Sequence, residues 1–244
     1  MLSQALRKTR AKGYIGQNHA DADIVNRPRG AARRPEPLEV ERAEEILAAV
    51  RGVDPWDAAV PLALGMSLRR EEVIGLGWSH VDLDAGRLLV ERTLTYADGE
   101  LHYGPPKSEA GERELEIPGF VADALRRHRA AQNERRLLIG EGWPLGGGIA
   151  DHVVERGCGE PWHPSTFSTY WRRWATANGF AGTTFHDLRH GTGALLLASG
   201  ISSTVALEIM GHSALEMLRR YQGVSRALKR EAADKLDELL RPKI

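Results

Sequence analysis

The chain has a single cysteine, Cys158, among its 244 residues, so it can build neither a disulfide framework nor a cysteine-rich metal site. It also lacks any apolar run of membrane-spanning length. The basic start, Met1 to Lys8, is not followed by the apolar core of a signal peptide. These absences predict a soluble, cytoplasmic protein with no membrane partner. An excess of one charge is missing too: 33 Lys and Arg balance 33 Asp and Glu. Phosphate-binding surfaces usually leave a basic excess, so bulk charge alone does not point to nucleic acid. No internal repeat is visible, which excludes solenoids and propellers.

What is present is apolar content of 42 %, enough for a substantial core, and an uneven distribution of charge. Residues 1–35 carry eight Lys or Arg against two Asp, whereas residues 36–100 carry six against fourteen acids. The basic start holds Gly13, Gly16, Pro28, Gly30 and Pro35, and reads as a short helix over Ser3–Lys12 followed by an extended linker. Helical spacing of Val40, Ala43, Ile46, Leu47 and Val50 predicts a helix over Leu38–Val50. A second is expected to open with Asp54 as cap and Pro55 at the first helical position, and to run toward Leu68 with a kink or break at Pro61.

Between Val81 and Pro118 the pattern becomes strand-like. Leu88, Val90, Arg92 and Leu94 alternate along one run after the Asp84-Ala85-Gly86 turn, and Leu115 and Ile117 alternate near its end. Gly104-Pro105-Pro106 is a turn signal, which places Lys107 at or beside a hairpin tip. Helices are then expected over Phe120–Leu138, over Pro164–Asn178 closed by Gly179, and over His186–Ser199 closed by Gly200. Short helices capped by Ser202, Ser213 and Ser225 complete the chain, with Tyr221 near the end of one of them and Arg226–Leu240 as the last. Gly146-Gly147-Gly148 reads as a loop. The fold class expected is mainly α with a small antiparallel β-sheet.

The densest chemistry lies in Thr184-Phe185-His186-Asp187-Leu188-Arg189-His190, followed by Gly211-His212 and Tyr221. A phosphodiester resists attack because its anionic oxygens repel the nucleophile and gain charge as the reaction proceeds. Guanidinium groups answer both problems, offering paired donors and a permanent charge. Arg69 and Arg189 are the candidate clamps. A phenol, with an ordinary pKa of about 10, needs an electropositive pocket or a neighbouring base before it can attack. His186 stands three residues before Arg189, so on a helix the two share a face. Lys107 on a turn is a suitable proton donor to a departing oxygen.

In their order these residues resemble the catalytic domain of the tyrosine recombinase, or phage integrase, family. Ser67-Leu68-Arg69-Arg70-Glu71-Glu72 through Trp78 resembles its first box, and Gly104-Pro105-Pro106-Lys107-Ser108 its lysine-bearing hairpin, with Arg113 to Pro118 as the returning strand. Phe185 to His190 is similar to the second box, Met210-Gly211-His212-Ser213 to the third, and Arg220-Tyr221 to the nucleophile site. The resemblance covers about residue 36 to the end. It implies catalytic residues Arg69, Lys107, His186, Arg189, His212 and Tyr221. The implied reaction cleaves one strand of double-stranded DNA through a 3′-phosphotyrosyl linkage to Tyr221 and rejoins it, with no metal, ATP or other cofactor. His212 would hydrogen-bond the phosphate and Glu72 would support the first-box helix. The implied organisation is a remnant of a core-binding domain and a linker over 1–35, a catalytic domain over 36–224, and a docking helix over 225–244. The chain would be monomeric alone and tetrameric on DNA.

Two features depart from the family pattern. Met66-Ser67 stands where a Thr-Gly pair is usual, and Met217, Arg219 and Gln222 surround the nucleophile position. Other readings are a type IB topoisomerase-like enzyme, a catalytically silent DNA-binding or oligomerising remnant, and a metalloenzyme built on Asp151, His152, Cys158 and His163. The spacing of that last set matches no strong zinc pattern.

Overall fold

A computed structural model describes residues 2–17, 38–106, 111–144, 151–201, 205, 209 and 210. The chain divides into two compact units, Met1–Glu36 and Pro37–Ile244. In the first, helix α1 spans Leu2–Ala11 and is followed by Gly13 at φ 77°. Val205, Ile209 and Met210 are helical, within the helix expected after Ser202; the rest of that helix, the linker over 18–37, the Gly146-Gly147-Gly148 loop and the helices expected after Ser213 and Ser225 lie outside the described residues.

In the second unit, α2 spans Val40–Val50 and α3 spans Trp56–Gly65. Every residue from Trp56 to Leu64 is buried, so α3 is a core helix surrounded on all sides rather than an amphipathic one. It runs through Pro61 and stops at Gly65, short of Leu68. Burial of the whole segment offsets the one backbone hydrogen bond that proline removes. Asp54 does not cap this helix. Pro55 occupies the cap position, and the Asp54 carboxylate lies 3.2 Å from Arg135 and 3.6 Å from His128.

Helix α4 is short, Arg70–Gly75, and a turn of 3₁₀ helix at Trp78–His80 leads into the strands. Strands β1 (Val81–Asp82), β2 (Arg87–Val90) and β5 (Arg113–Glu116) form one antiparallel sheet in the order β1-β2-β5. Its register sets Leu88 opposite both Val81 and Leu115, and all three face the core. Strands β3 (Thr93–Ala97) and β4 (Glu100–Gly104) form a separate hairpin. The alternating run from Leu88 to Leu94 is thus divided at Glu91-Arg92 between two sheets. Arg92 leaves the strand pattern because its Nε donates to the carbonyl of Gly75, at the end of α4, over 2.8 Å. Gly75 itself must be small there: a Cβ would stand 2.7 Å from the backbone nitrogen of Leu94.

The tip of the hairpin is Asp98-Gly99, not Gly104-Pro105-Pro106. Both tip residues have positive φ, 51° and 88°, as a two-residue turn matched to strand twist requires. Gly104 instead ends β4, and the next described strand, β5, belongs to the other sheet. Lys107 lies outside the described residues.

Helix α5 spans Gly119–Ile139. It binds the returning segment through His128 Nε2, which donates to the Val153 carbonyl over 2.7 Å, and Gln132, which donates to the His152 carbonyl over 2.9 Å. Helix α6, Pro164–Ala177, starts from His163, whose Nδ1 accepts from the Ser165 amide, and ends before Gly179 at φ 83°. Helix α7 spans Phe185–Ala198. The fold is therefore mostly helical with small antiparallel sheets, as expected. Among the described residues no helix is long and apolar enough to cross a membrane.

Candidate active site

Helix α7 is fixed at its start by a reciprocal cap. The Thr184 amide donates to Asp187 Oδ2 over 2.7 Å, and the Asp187 amide donates to Thr184 Oγ1 over 3.2 Å. Phe185, the first helical residue, sits edge-on against Phe167 and Trp171, with ring centroids 4.9 and 5.7 Å away. One turn later Leu188 is fully buried, and the Thr192 hydroxyl donates to the Leu64 carbonyl at the end of α3 over 2.7 Å. These contacts lock both the depth and the rotation of α7. His186 and Arg189 therefore occupy set positions.

Arg189 is almost entirely buried, and its guanidinium donates to the carbonyls of Ser67 and Met210. The first contact ties α7 to the residues before α4. The second ties it to the last described residue before Gly211. Arg69 occupies the N-cap position of α4, and its amide donates to Glu72 Oε2 over 2.8 Å. This is one half of a capping box; a guanidinium has no acceptor with which to supply the other half. The Arg69 side chain also reaches Glu72 Oε1 over 2.7 Å.

Glu72 is the hub of the site. Its buried carboxylate meets Arg69 at 2.7 Å, Arg113 at 3.1 Å and Arg189 at 3.7 Å. Burial alone would raise its pKa. The charge and hydrogen bond of Arg113, the Arg69 amide and the charge of Arg189 outweigh that and hold the carboxyl below its ordinary value. Three guanidinium groups around one carboxylate leave the cluster with surplus positive charge. That surplus suits the oxygens of a phosphodiester.

Burial first, and the charge of Arg189 second, press the His186 pKa below its ordinary value, against the opposing pull of Asp187 and Glu71. That direction favours the neutral imidazole, the form able to accept a proton. The His190 ring stands edge-on to it at 4.3 Å. Of the six expected site residues, Arg69, His186 and Arg189 are thus joined through one electrostatic cluster. Lys107, His212 and Tyr221 lie outside the described residues.

Sequence reasoning missed the site role of Arg113, which is placed on β5 two residues before the buried Leu115 and so on the same face of the strand. An arginine in the inward phase of a strand is the signal that could have found it. The alternative set at Asp151, His152, Cys158 and His163 has other work. His163 caps α6, and His152 Nε2 shares a hydrogen bond of 2.8 Å with the Tyr103 hydroxyl. Among the described residues no group of three or more His, Cys, Asp or Glu could hold a metal ion. Tyr103 also shows what burial does to a phenol even beside an arginine. Its pKa is pushed up to about 12 by desolvation, only partly opposed by Arg92.

Residues 37–227 match the Phage integrase family, which is most of the chain. The chain belongs to that family. Among curated relatives, an integrase of Saccharopolyspora erythraea is 29% identical over 131 residues, covering 54% of this chain and 29% of that protein. A XerC-like tyrosine recombinase of Caldanaerobacter subterraneus subsp. tengcongensis is 26% identical over 188 residues, covering 73% of this chain and 48% of that protein. The chain thus spans half or less of the length of these relatives. The fold matches the integrase of the Tn1549 transposon, solved in complex with a circular intermediate DNA. That match has a TM-score of 0.75 at 21% identity and covers 96% of this chain and 76% of that one.

The family member described here departs from the usual first box at Ser67, and the structure gives the departure a physical meaning. Ser67 is fully buried with φ 54°, in the left-handed region where glycine is at home, and its Oγ has no hydrogen-bond partner. The Ser67 carbonyl is nevertheless where Arg189 must bind. The backbone shape is retained with a less suitable residue.

Proposed function

We propose that the chain is the catalytic part of a site-specific DNA recombinase of the tyrosine type. The observation that carries this reading is the convergence of Arg69 and Arg189 on the buried Glu72, with His186 one helical turn before Arg189. Two guanidinium groups steady the scissile phosphate and the charge that grows on its oxygens. The Tyr221 oxygen attacks phosphorus as its proton passes to His186. The bond from phosphorus to the 5′ oxygen breaks, and that oxygen takes a proton from Lys107. A 3′-phosphotyrosyl linkage and a free 5′ hydroxyl result. Attack by the 5′ hydroxyl of a partner strand reverses these steps and releases Tyr221.

The linkage conserves the energy of the phosphodiester, so this scheme consumes no ATP and uses no metal. His212 supplies a further hydrogen bond to the phosphate. The partners are double-stranded DNA and further copies of the chain, assembled as a tetramer on DNA in the cytoplasm, with 225–244 as the docking helix.

Incubating the chain with a nicked suicide duplex should give a covalent protein–DNA adduct that survives EDTA and disappears in Tyr221→Phe. An adduct that persists in that variant would remove Tyr221 from its role.

A further inference from the structure

Resting on the recombinase reading above, we propose that Arg113 is a positioning residue that sets the geometry of both phosphate-gripping arginines by holding Glu72 and the backbone just before Gly211. Arg113 is on β5, 41 residues along the chain from Glu72, and its side chain is 7% exposed. Its Nη2 donates to Glu72 Oε2 over 3.1 Å and its Nη1 approaches Oε1 at 3.4 Å. Nη1 also donates to the Gly111 carbonyl over 2.8 Å, and Nε donates to the Ile209 carbonyl over 3.1 Å. All three nitrogens of the fork are used, on three separate segments.

The consequence follows from the shape of a carboxylate. The last torsion of a glutamate side chain is broad and roughly two-fold, so one contact does not fix the plane of its oxygens. Arg69 meets Oε1 with its guanidinium and Oε2 with its amide, both from the turn of chain that carries Glu72, while Arg189 lies nearest Oε2. Arg113 touches both oxygens from a separate strand and so fixes the carboxylate relative to the rest of the fold, where Arg189 meets it. Without it the carboxylate is held only from its own helix, through Arg69, and its spacing from Arg189 is no longer set from the opposite side. The Ile209 contact adds a second effect. It and the Arg189 bond to the neighbouring Met210 carbonyl hold the same stretch of backbone, which leads directly to Gly211-His212.

Packed this way, Arg113 acts through Glu72 and the backbone rather than by touching DNA. Lysine keeps the charge but not the planar fork, so it replaces only part of this function. The test uses the full chain with Arg113→Gln, Arg113→Lys, Glu72→Gln and the Glu72→Gln/Arg113→Gln pair. Single-turnover adduct formation on the nicked duplex, DNA affinity by fluorescence anisotropy and thermal melting are measured for each.

Arg113→Gln should slow adduct formation about 10- to 100-fold while DNA affinity changes by less than about threefold, the pattern of a lost supporting contact. Arg113→Lys should recover part of the rate, and in the Glu72→Gln background Arg113→Gln should cost little more. An unchanged rate in Arg113→Gln overturns the proposal, and so does an equal cost in both backgrounds. If Arg113→Gln does not fold, the Arg113→Lys rate decides: a full wild-type rate overturns the proposal and a partial loss supports it. If the unsubstituted chain forms no Tyr221-dependent adduct, the recombinase reading fails and this proposal falls with it; failure confined to the Arg113 variants leaves that reading intact.

Discussion

Arg69 and Arg189 share a carboxylate but not an environment. The Arg69 side chain is 31% exposed, whereas that of Arg189 is 1% exposed. Arg189 holds two backbone carbonyls from distant segments, so it joins α7 to both the first-box loop and the residues before Gly211. Arg69 is held by the residue three positions ahead of it on its own helix. Two residues of one type, assigned one chemical task, thus differ in how much of the fold depends on them. Burial makes Arg189 part of the structure as well as of the site; partial exposure leaves Arg69 mainly a site residue.

The strongest way to break this comparison is to truncate each arginine in turn. Either change should slow adduct formation on the order of 10²–10³-fold, because each removes a preorganised donor. Their stabilities should separate. Arg189→Ala should destabilise by about 3 kcal/mol or more, since it leaves buried carbonyls unpaired and removes one partner of a buried charge. Arg69→Ala should cost at most about 1 kcal/mol. Equal losses in chemical denaturation would erase the distinction.

A smaller effect is expected at the hub. Glu72→Gln should destabilise by about 2 kcal/mol at neutral pH, as hydrogen bonds to a charged group become neutral ones. The pH dependence sharpens this. The folded-state pKa of Glu72 is depressed below its ordinary 4.5, so its stabilisation is complete above that value and is lost as pH falls through the folded value. The gap between the parent chain and Glu72→Gln in melting temperature should therefore narrow on acidification below pH 4.5. A gap that stays constant would mean that charge on Glu72 is not what holds the arginines.

The smallest change is Ser67→Gly at the carbonyl that receives Arg189. It relieves a left-handed serine and removes a buried hydroxyl without a partner, against the greater freedom of glycine in the unfolded chain. The net gain should be about 1 kcal/mol, read as a higher denaturation midpoint. A lower midpoint would show that the Ser67 side chain supports the Arg189 anchor.

Where local patterns were strong, the sequence anticipated the elements closely. The helix expected over Phe120–Leu138 spans Gly119–Ile139, and Gly179 and Gly200 follow their helices with positive φ. It misplaced the hairpin tip because Gly104-Pro105-Pro106 and Asp98-Gly99 are both turn signals, and only strand pairing selects between them. Pro61 carried a true local cost that the packing around α3 overrode. In the site, the short spacing within His186-Asp187-Leu188-Arg189 made the shared helix face legible. Arg113 was read only as part of a strand, since nothing near it in the chain announces Glu72.

By itself, then, the sequence determined the helices over 119–139, 164–177 and 185–198 and which boxes carry cationic and titratable groups, because these depend on neighbours a few residues apart. Only the tertiary structure decided that three arginines from α4, β5 and α7 meet on one buried carboxylate. An ion in a low-dielectric interior is stable only where opposite charges and donors converge on it, and that convergence is a property of the packed chain.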